Sequence, residues 1–309
     1  MNTFESKSKK ALLIEKLIKF LLILAATISI LTTFGILFSI LFESIEFFKL
    51  RSFWYFLTGT VWSPGVIGSK FGALPIFSGT FVITLIALAV AIPIGLGSAV
   101  YMSEYASPKL RDYLKPMLEI LAGIPTVVYG FFAAITVAPL IVKMADAVGL
   151  EATFNSALAS GVVMGIMIIP VISSLSDDVI RAVPDSQRKA AFGLGMTHGE
   201  IIKNIVLPSA LPGIISASLL GLSKALGETM IVVMAAGLRP NLSWNPLEDM
   251  TTVTVTIVNS LVGDFEFNSP ETLSAFALGL VLFVITLILN MISLSLIRKF
   301  KEKYKVNTL

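Results

Sequence analysis

Long apolar runs with almost no charged residue constrain this chain more than any other feature. They cover residues 20–42, 71–103, 120–142, 152–176, 209–238 and 272–297. About 20 consecutive apolar residues cross a bilayer as one helix, because the backbone must satisfy its own hydrogen bonds in lipid. We therefore predict an all-α polytopic membrane protein with six transmembrane helices, the second of which begins near Ser78.

The composition excludes several other classes of protein. Charged residues make up 14% of the chain, against about 25% in soluble domains. The sequence has no cysteine and one histidine, so it offers neither a disulfide framework nor a Cys/His metal cluster. It also lacks a Gly-Lys dipeptide and hence a P-loop. We expect no cofactor of its own and no nucleic-acid partner, and any ATP must be bound by a partner subunit.

Most positively charged residues fall in one set of loops. That set contains Lys7, Lys9, Lys10, Lys16, Lys19, Lys109, Arg111, Lys115, Arg181, Arg188, Lys189, Lys203, Arg298, Lys299, Lys301, Lys303 and Lys305. The opposite set contains Lys49, Arg51, Lys70, Lys143 and Arg239. Because Lys and Arg accumulate in cytoplasmic loops, we predict a cell-membrane protein with both termini in the cytoplasm.

A polar segment interrupts the apolar pattern at residues 186–208, which we call the coupling segment. Its distinctive positions are Lys189, Ala190, Ala191, Gly195, Ile205, Leu207 and Pro208. They predict a short helix, a turn at Gly195, and a second short helix that stops before Pro208. The small side chains would let another protein approach closely. The alternative is an ordinary amphipathic loop on the membrane surface.

The spacing in the coupling segment resembles the EAA loop of ABC-transporter permeases, which docks into a groove of the ATPase subunit. The family usually has glutamate where this chain has Lys189. The resemblance implies that the coupling segment is the ATPase-binding element and that it lies in the cytoplasm.

Small residues recur at every fourth position of the fifth apolar run, which indicates a closely packed helix face. They are Gly213, Ala217, Gly221, Ala225 and Thr229. Gly161 and Gly165 have the same four-residue spacing in the fourth run. The partner helix could come from this chain or from a second permease subunit.

Two charges lie inside the fifth run, Lys224 and Glu228. If the helix is continuous they stand on one face near the middle of the bilayer, where each charge costs about 2.5–3.5 kcal/mol. They could neutralise one another, although Lys before Glu is the weaker order for such a pair. They could instead line a polar path. The ammonium would attract an anion and the carboxylate would accept a hydrogen bond from its O–H group, which suits phosphate but also a zwitterion.

Three blocks resemble bacterial and archaeal phosphate permeases of the PstC type. They are GIPTVVYG (123–130), SDDVIRAVPDSQRKAAFGLG (176–195) and GLSKALGETMIVVM (221–234). The resemblance implies a channel-forming subunit of an ATP-driven phosphate importer. Its partners would be a homologous PstA-type permease, two ATPase subunits and an external phosphate-binding protein. It also implies a phosphate path at Lys224 and Glu228, with Thr229 beside them; the family commonly has arginine where Lys224 stands.

We divide the chain into residues 1–70, with the first span and an external aromatic loop at 43–70, and a permease core of five spans at 71–309. The external segment 239–272 could form a surface strand or a re-entrant piece. Other functional readings are a permease for another oxyanion, such as sulfate or molybdate, and a secondary transporter without an ATPase. The hypothesis of a membrane-embedded enzyme is supported only by the Lys224–Glu228 pair.

Overall fold

The computed structural model describes residues 9–65, 68–262 and 266–303. Six helical segments in this part of the chain are long and apolar enough to cross a membrane: Leu12–Leu50, Leu74–Tyr105, Thr126–Ala147, Ala157–Arg181, His198–Leu226 and Pro270–Lys299. They confirm the predicted number of spans, but the second span begins at Leu74 and not near Ser78. Lys7 and Lys305, which contribute to the predicted orientation, lie outside the described residues.

The helices are α1 (Lys9–Leu50), α2 (Phe53–Thr58), α3 (Leu74–Val100), α4 (Pro108–Ala122), α5 (Thr126–Phe132), α6 (Ala138–Ala147), α7 (Ala157–Arg181), α8 (Asp185–Gly193), α9 (His198–Ile201), α10 (Leu207–Leu226), α11 (Met230–Ala235), α12 (Val253–Val262) and α13 (Pro270–Lys303). Wider π-helical turns continue α3 at Tyr101–Tyr105, join α5 to α6 at Ala133–Val137, and join α9 to α10 at Ile202–Val206. Two short antiparallel strands, β1 (Trp62–Ser63) and β2 (Lys70–Phe71), form a hairpin.

The predicted loop at 43–70 is largely wrong, because α1 continues to Leu50 and α2 and the hairpin follow. The aromatic residues of this region form a small core instead. Phe47 is fully buried, and its ring centroid lies 5.4 Å from that of Phe56 and 5.6 Å from that of Phe71, in edge-to-face geometry. Such pairs add to the apolar area that the rings bury, so this core fixes the end of α1 against the start of α3.

The centre of the molecule is α7, which packs against both α3 and α10. Small residues allow these close approaches. A Cβ added at Gly165 would meet the Ala87 carbonyl of α3 at 2.8 Å. One added at Gly213 would overlap the side chain of Val179 on α7. The small-residue faces of the fourth and fifth spans therefore pack against other helices of this chain. The partner helix that these faces require comes from the chain itself.

The third span is built from pieces. A separate helix, α4, comes first, with Ser107 accepting a hydrogen bond from the Leu110 amide at 3.4 Å and Pro108 in its first turn. The chain then breaks at residues 123–125, and the span runs from Thr126 to Ala147. The predicted run 120–142 thus begins and ends several residues too early.

The external segment folds mostly as a loop followed by α12, so a strand at Thr251–Ile257 is wrong. The Thr80 hydroxyl of α3 accepts a hydrogen bond from the Val253 amide at 3.0 Å and fixes the start of α12. The preceding loop closes over the start of α7, where the Ala157 amide donates to the Glu248 carbonyl at 3.0 Å. The Glu248 carboxylate accepts from the Asn241 amide group at 2.8 Å. Hydrogen bonds from Asn241, Ser243 and Asn245 lower the pKa of Glu248.

Candidate functional site

The coupling segment forms two helices around a sharp turn, as predicted. Gly195 lies between α8 and α9 with φ of 82°, in the left-handed region that glycine adopts without a steric penalty. Thr197 then caps α9: its amide donates to the Glu200 carboxylate at 2.8 Å, and its hydroxyl accepts from the Glu200 amide at 3.4 Å. This reciprocal capping box satisfies two amides that a helix start leaves open.

The predicted stop before Pro208 is wrong, because α9 runs through the wide turn at Ile202–Val206 into α10. Proline has no amide hydrogen and normally breaks the helix at the residues that precede it. Here the Leu207 amide donates to the Ile202 carbonyl, so the helix is widened by one residue just before the proline. The second helix of the coupling segment is therefore continuous with the fifth span and is not part of a separate loop.

The distinctive positions of the coupling segment divide into a surface group and a packing group. Lys189, Ala190 and Gly195 are exposed. Ala191 is 4% exposed and belongs to a buried cluster with Ile201 and Val206, against which Ile205 and Leu207 pack. Pro208 is partly exposed.

The surface group has two apolar neighbours that sequence reasoning missed. Phe192 is 53% exposed and Leu194 is 83% exposed, and they lie on either side of Gly193. Their signal in the sequence was an apolar residue on each side of a glycine in an otherwise polar segment. With Lys189, Ala190 and Gly195 they form what we call the docking surface.

Two ion-pair clusters hold the coupling segment and its flanks, and sequence reasoning missed both. Arg188 Nη1 lies 2.7 Å and 2.8 Å from the two carboxylate oxygens of Glu104, which follows α3. His198 Nε2 lies 3.7 Å from Glu104 Oε2. Arg188 Nη2 also donates to the Ile180 carbonyl of α7 at 2.9 Å.

The second cluster surrounds Asp177 on α7. Its carboxylate is fully buried and accepts from Arg111 Nη2 of α4 at 2.6 Å. Lys115 Nζ lies 3.8 Å from the same carboxylate and also pairs with Asp178. The hydrogen bond that Arg111 donates to Asp177 raises the pKa of Arg111, which keeps its charge in place.

The fifth apolar run breaks between α10 and α11, so Lys224 and Glu228, contrary to the prediction, do not share one face of a continuous helix. The reason is local: α10 ends at Leu226 and Gly227, and the Glu228 carboxylate then caps α11. Glu228 Oε1 accepts from the amides of Met230 at 3.0 Å and Ile231 at 3.3 Å. Thr254 of α12 donates to the Glu228 carbonyl at 2.8 Å.

The charged groups at this break, which we call the span-five break, remain available to a ligand. Glu228 is 8% exposed, and Oε2 accepts no hydrogen bond from the described residues. Lys224 is partly exposed, and no ion pair within 4.0 Å joins it to Glu228 or to another described carboxylate. Thr229, also partly exposed, lies between α10 and α11. The two charges therefore do not neutralise one another by contact.

Residues 123–130 and 221–234 meet at the span-five break. Gly130 of α5 lies directly against α11, because a Cβ added there would stand 3.1 Å from the Met230 carbonyl and 3.3 Å from Ile231 Cα. The Tyr129 hydroxyl donates to the Leu121 carbonyl at 2.9 Å and closes the break that precedes α5. Two interrupted helices thus support one another beside Glu228.

The relatives of this chain are transport permeases. A family model described as "Binding-protein-dependent transport system inner membrane component" matches residues 91–303. The phosphate transport system permease protein PstC of Mesorhizobium japonicum is 36% identical over 76% of this chain and 75% of its own length. PstC of Haemophilus influenzae is 32% identical over 94% and 95% of the two chains. A probable ABC transporter permease of Bacillus subtilis, YqgH, is 33% identical over 81% and 78%.

Solved ABC importers share the fold. A chain of a bacterial ABC transporter involved in the import of the polysaccharide alginate aligns with a TM-score of 0.63 at 15% identity, over 93% of this chain and 98% of its own. A chain of the MetNI methionine ABC transporter aligns with a TM-score of 0.55 at 16% identity, over 72% and 93%. The chain thus belongs to the binding-protein-dependent transport system inner membrane components, and within that family to the PstC-type permeases.

Proposed function

We propose that this chain is the permease subunit of an ATP-driven importer of inorganic phosphate. The observation that carries the proposal is the span-five break, where an unpaired Lys224 and a nearly buried Glu228 lie in a chain whose relatives are phosphate permeases. Among the described residues no carboxylate pairs with the ammonium and no donor reaches the second carboxylate oxygen, and such groups in an apolar run of a membrane protein are costly unless a ligand or water engages them. A transported oxyanion explains why both are kept.

Phosphate fits the chemistry of the two side chains. The Lys224 ammonium attracts the anion, and as a point charge it donates hydrogen bonds without the paired geometry that an arginine offers. Glu228 Oε2 accepts a hydrogen bond from a phosphate oxygen that carries a proton near neutral pH. A fully deprotonated dianion such as sulfate lacks that proton, so the carboxylate repels it. We assign Thr229 to the same path, with its hydroxyl as a further hydrogen-bonding group.

The docking surface would receive the ATPase. Lys189, Ala190 and Gly195 offer a surface that a partner can approach closely, and Phe192 and Leu194 supply apolar anchors. Ala191, Ile205, Leu207 and Pro208 would contribute by packing and shaping the segment beneath that surface. We propose two ATPase subunits, a homologous PstA-type permease and an external phosphate-binding protein as partners, in keeping with the binding-protein-dependent family.

We propose that the docking surface and both chain ends lie in the cytoplasm of a cell whose plasma or inner membrane contains the complex. The support is the excess of Lys and Arg on that side of the spans. We further propose that residues 71–309 form the permease core and that the first span is an addition to it. The family match over residues 91–303 is in keeping with that division.

Uptake by the reconstituted complex tests the function. Proteoliposomes that contain both permeases, both ATPases and external binding protein should accumulate labelled phosphate only when ATP is supplied on the ATPase side. A tenfold excess of unlabelled sulfate or molybdate should leave that uptake unchanged. Competition by sulfate or molybdate as strong as that by unlabelled phosphate would favour a different oxyanion, and accumulation without ATP would favour a secondary transporter.

A further inference from the structure

We propose that Glu104 and Arg188 form the link through which movement of the docked ATPase is passed from the coupling segment to the second and fourth spans. The proposal rests on the proposed function, since it takes the coupling segment as the ATPase-binding element. Glu104 and Arg188 are positioning residues in this account; neither is placed on the phosphate path.

The contacts of Arg188 tie three elements together. Its side chain leaves α8, engages both carboxylate oxygens of Glu104 at the end of the second span, and donates to the Ile180 carbonyl in the last turn of the fourth. Charge-assisted hydrogen bonds of this length are the strongest that side chains form. A displacement of α8 must therefore move both spans or break these bonds.

Burial makes the link stiff. The Glu104 side chain is 4% exposed and that of Arg188 is 19% exposed, so water does not readily replace either partner. Energetic coupling between distant sites travels through rigid elements joined by such contacts. By contrast, the docking surface itself is exposed, and α8 has few other polar ties to the spans: Gln187 contacts Ser209 only at 3.4 Å.

The Arg111–Asp177 pair provides a matched control. It has the same chemistry, a distance of 2.6 Å, and a fully buried carboxylate. It joins α4 to α7, however, and no hydrogen bond or ion pair among the described residues connects it to the coupling segment. A variant that weakens it should affect assembly without separating ATP hydrolysis from transport.

The test compares Glu104→Gln with Arg111→Gln in the full reconstituted complex. For Glu104→Gln we expect wild-type co-purification of the ATPase and a phosphate-per-ATP ratio that falls about 2- to 30-fold, the range that residues between coupled sites produce. For Arg111→Gln the ratio should stay at the wild-type value. An unchanged ratio in Glu104→Gln, or an equal fall in Arg111→Gln, would overturn the link. If Glu104→Gln does not assemble, Arg188→Lys, which keeps the charge but loses the fork, takes its place with the same expected fall.

A second readout does not depend on phosphate and separates the link from the proposed function. Spin labels on Tyr101→Cys and Asp185→Cys report the distance between the end of the second span and α8 in a chain without native cysteine. With the link intact, ATP should leave the distribution of distances between the two labels unchanged. With Glu104→Gln added, ATP should shift or broaden that distribution. A distance that changes equally in both backgrounds would contradict the link even if phosphate uptake is confirmed. A wild-type complex that keeps the distance but transports no phosphate would contradict the proposed function alone.

Discussion

Glu228 has a structural role and, in our proposal, a functional one. One carboxylate oxygen caps α11 through the Met230 and Ile231 amides, and the other accepts no hydrogen bond from the described residues. The sequence predicts the two charges in the fifth span and their value for binding an oxyanion. It does not predict the cap: Gly227 is a residue type that often ends a helix, but glycine also occurs at 213 and 221, where the helix continues.

Two substitutions separate the properties of Glu228. Glu228→Gln keeps a carbonyl oxygen for the cap but removes the charge, so the complex should assemble normally, phosphate uptake should fall, and discrimination against sulfate should weaken. Glu228→Ala also removes the cap, which costs about 0.5–2 kcal/mol, and should lower the thermal stability of the purified complex as well.

Thermal unfolding and uptake of phosphate and sulfate check this prediction. Glu151→Gln, at an exposed carboxylate between α6 and α7, serves as the control and should match the wild type. If Glu228→Gln transports phosphate at the wild-type rate, the carboxylate has no part in the path.

At the scale of elements, the apolar runs predict which segments form helices better than they predict where those helices break. The predicted helix end before Pro208 is wrong because a widened turn compensates for the amide hydrogen that proline lacks. No residue type near Pro208 requires such a turn. The surface helix α4 could have been found: Ser107-Pro108 is a standard helix start, with a capping hydroxyl and proline in the first turn. The aromatic core around Phe47 depends on contacts between residues that are far apart in the sequence, so local patterns do not predict it.

A substitution at Gly195 tests whether the turn between α8 and α9 is needed for ATPase docking. Gly195→Leu places a side chain at φ of 82°, where a residue with a Cβ is strained by about 1–3 kcal/mol, and adds bulk to the docking surface. We expect the protein to reach the membrane and the ATPase to co-purify poorly.

Gly199→Leu is the matched variant, since it adds the same side chain to an exposed position of α9 without a left-handed φ and without a close neighbour. It should retain most of the ATPase. Wild-type recovery of the ATPase with Gly195→Leu would show that the turn is not needed for docking.

In the whole molecule, contacts between loops occur at the two opposite ends of the spans. Glu104 meets Arg188, and Arg111 meets Asp177, at one end of the spans. At the other end, the loop that contains Glu248 covers the start of α7. The sequence predicts this grouping from the positions of Lys and Arg, because alternating spans must return to the same side. It does not predict the contacts themselves, which depend on how α3 and α7 pack.

The orientation of the two ends is testable in a chain without native cysteine. Leu242→Cys, at an exposed position of the external loop, should react with a membrane-impermeant thiol reagent added to intact cells. Thr197→Cys, exposed in the coupling segment, should react only after the membrane is opened. Labelling of residue 197 in intact cells would reverse the proposed orientation.

We propose that phosphate crosses the membrane beside the charges of the span-five break, and uptake by Lys224 variants in the reconstituted complex tests this proposal. Lys224→Ala removes the attracting charge and should lower ATP-dependent phosphate uptake about ten- to hundredfold, the value of one hydrogen bond to a charged group. Lys224→Arg keeps the charge and should retain most uptake. Lys224→Met combined with Glu228→Met should assemble but transport as poorly as Lys224→Ala. Wild-type phosphate uptake by that double variant would contradict the account.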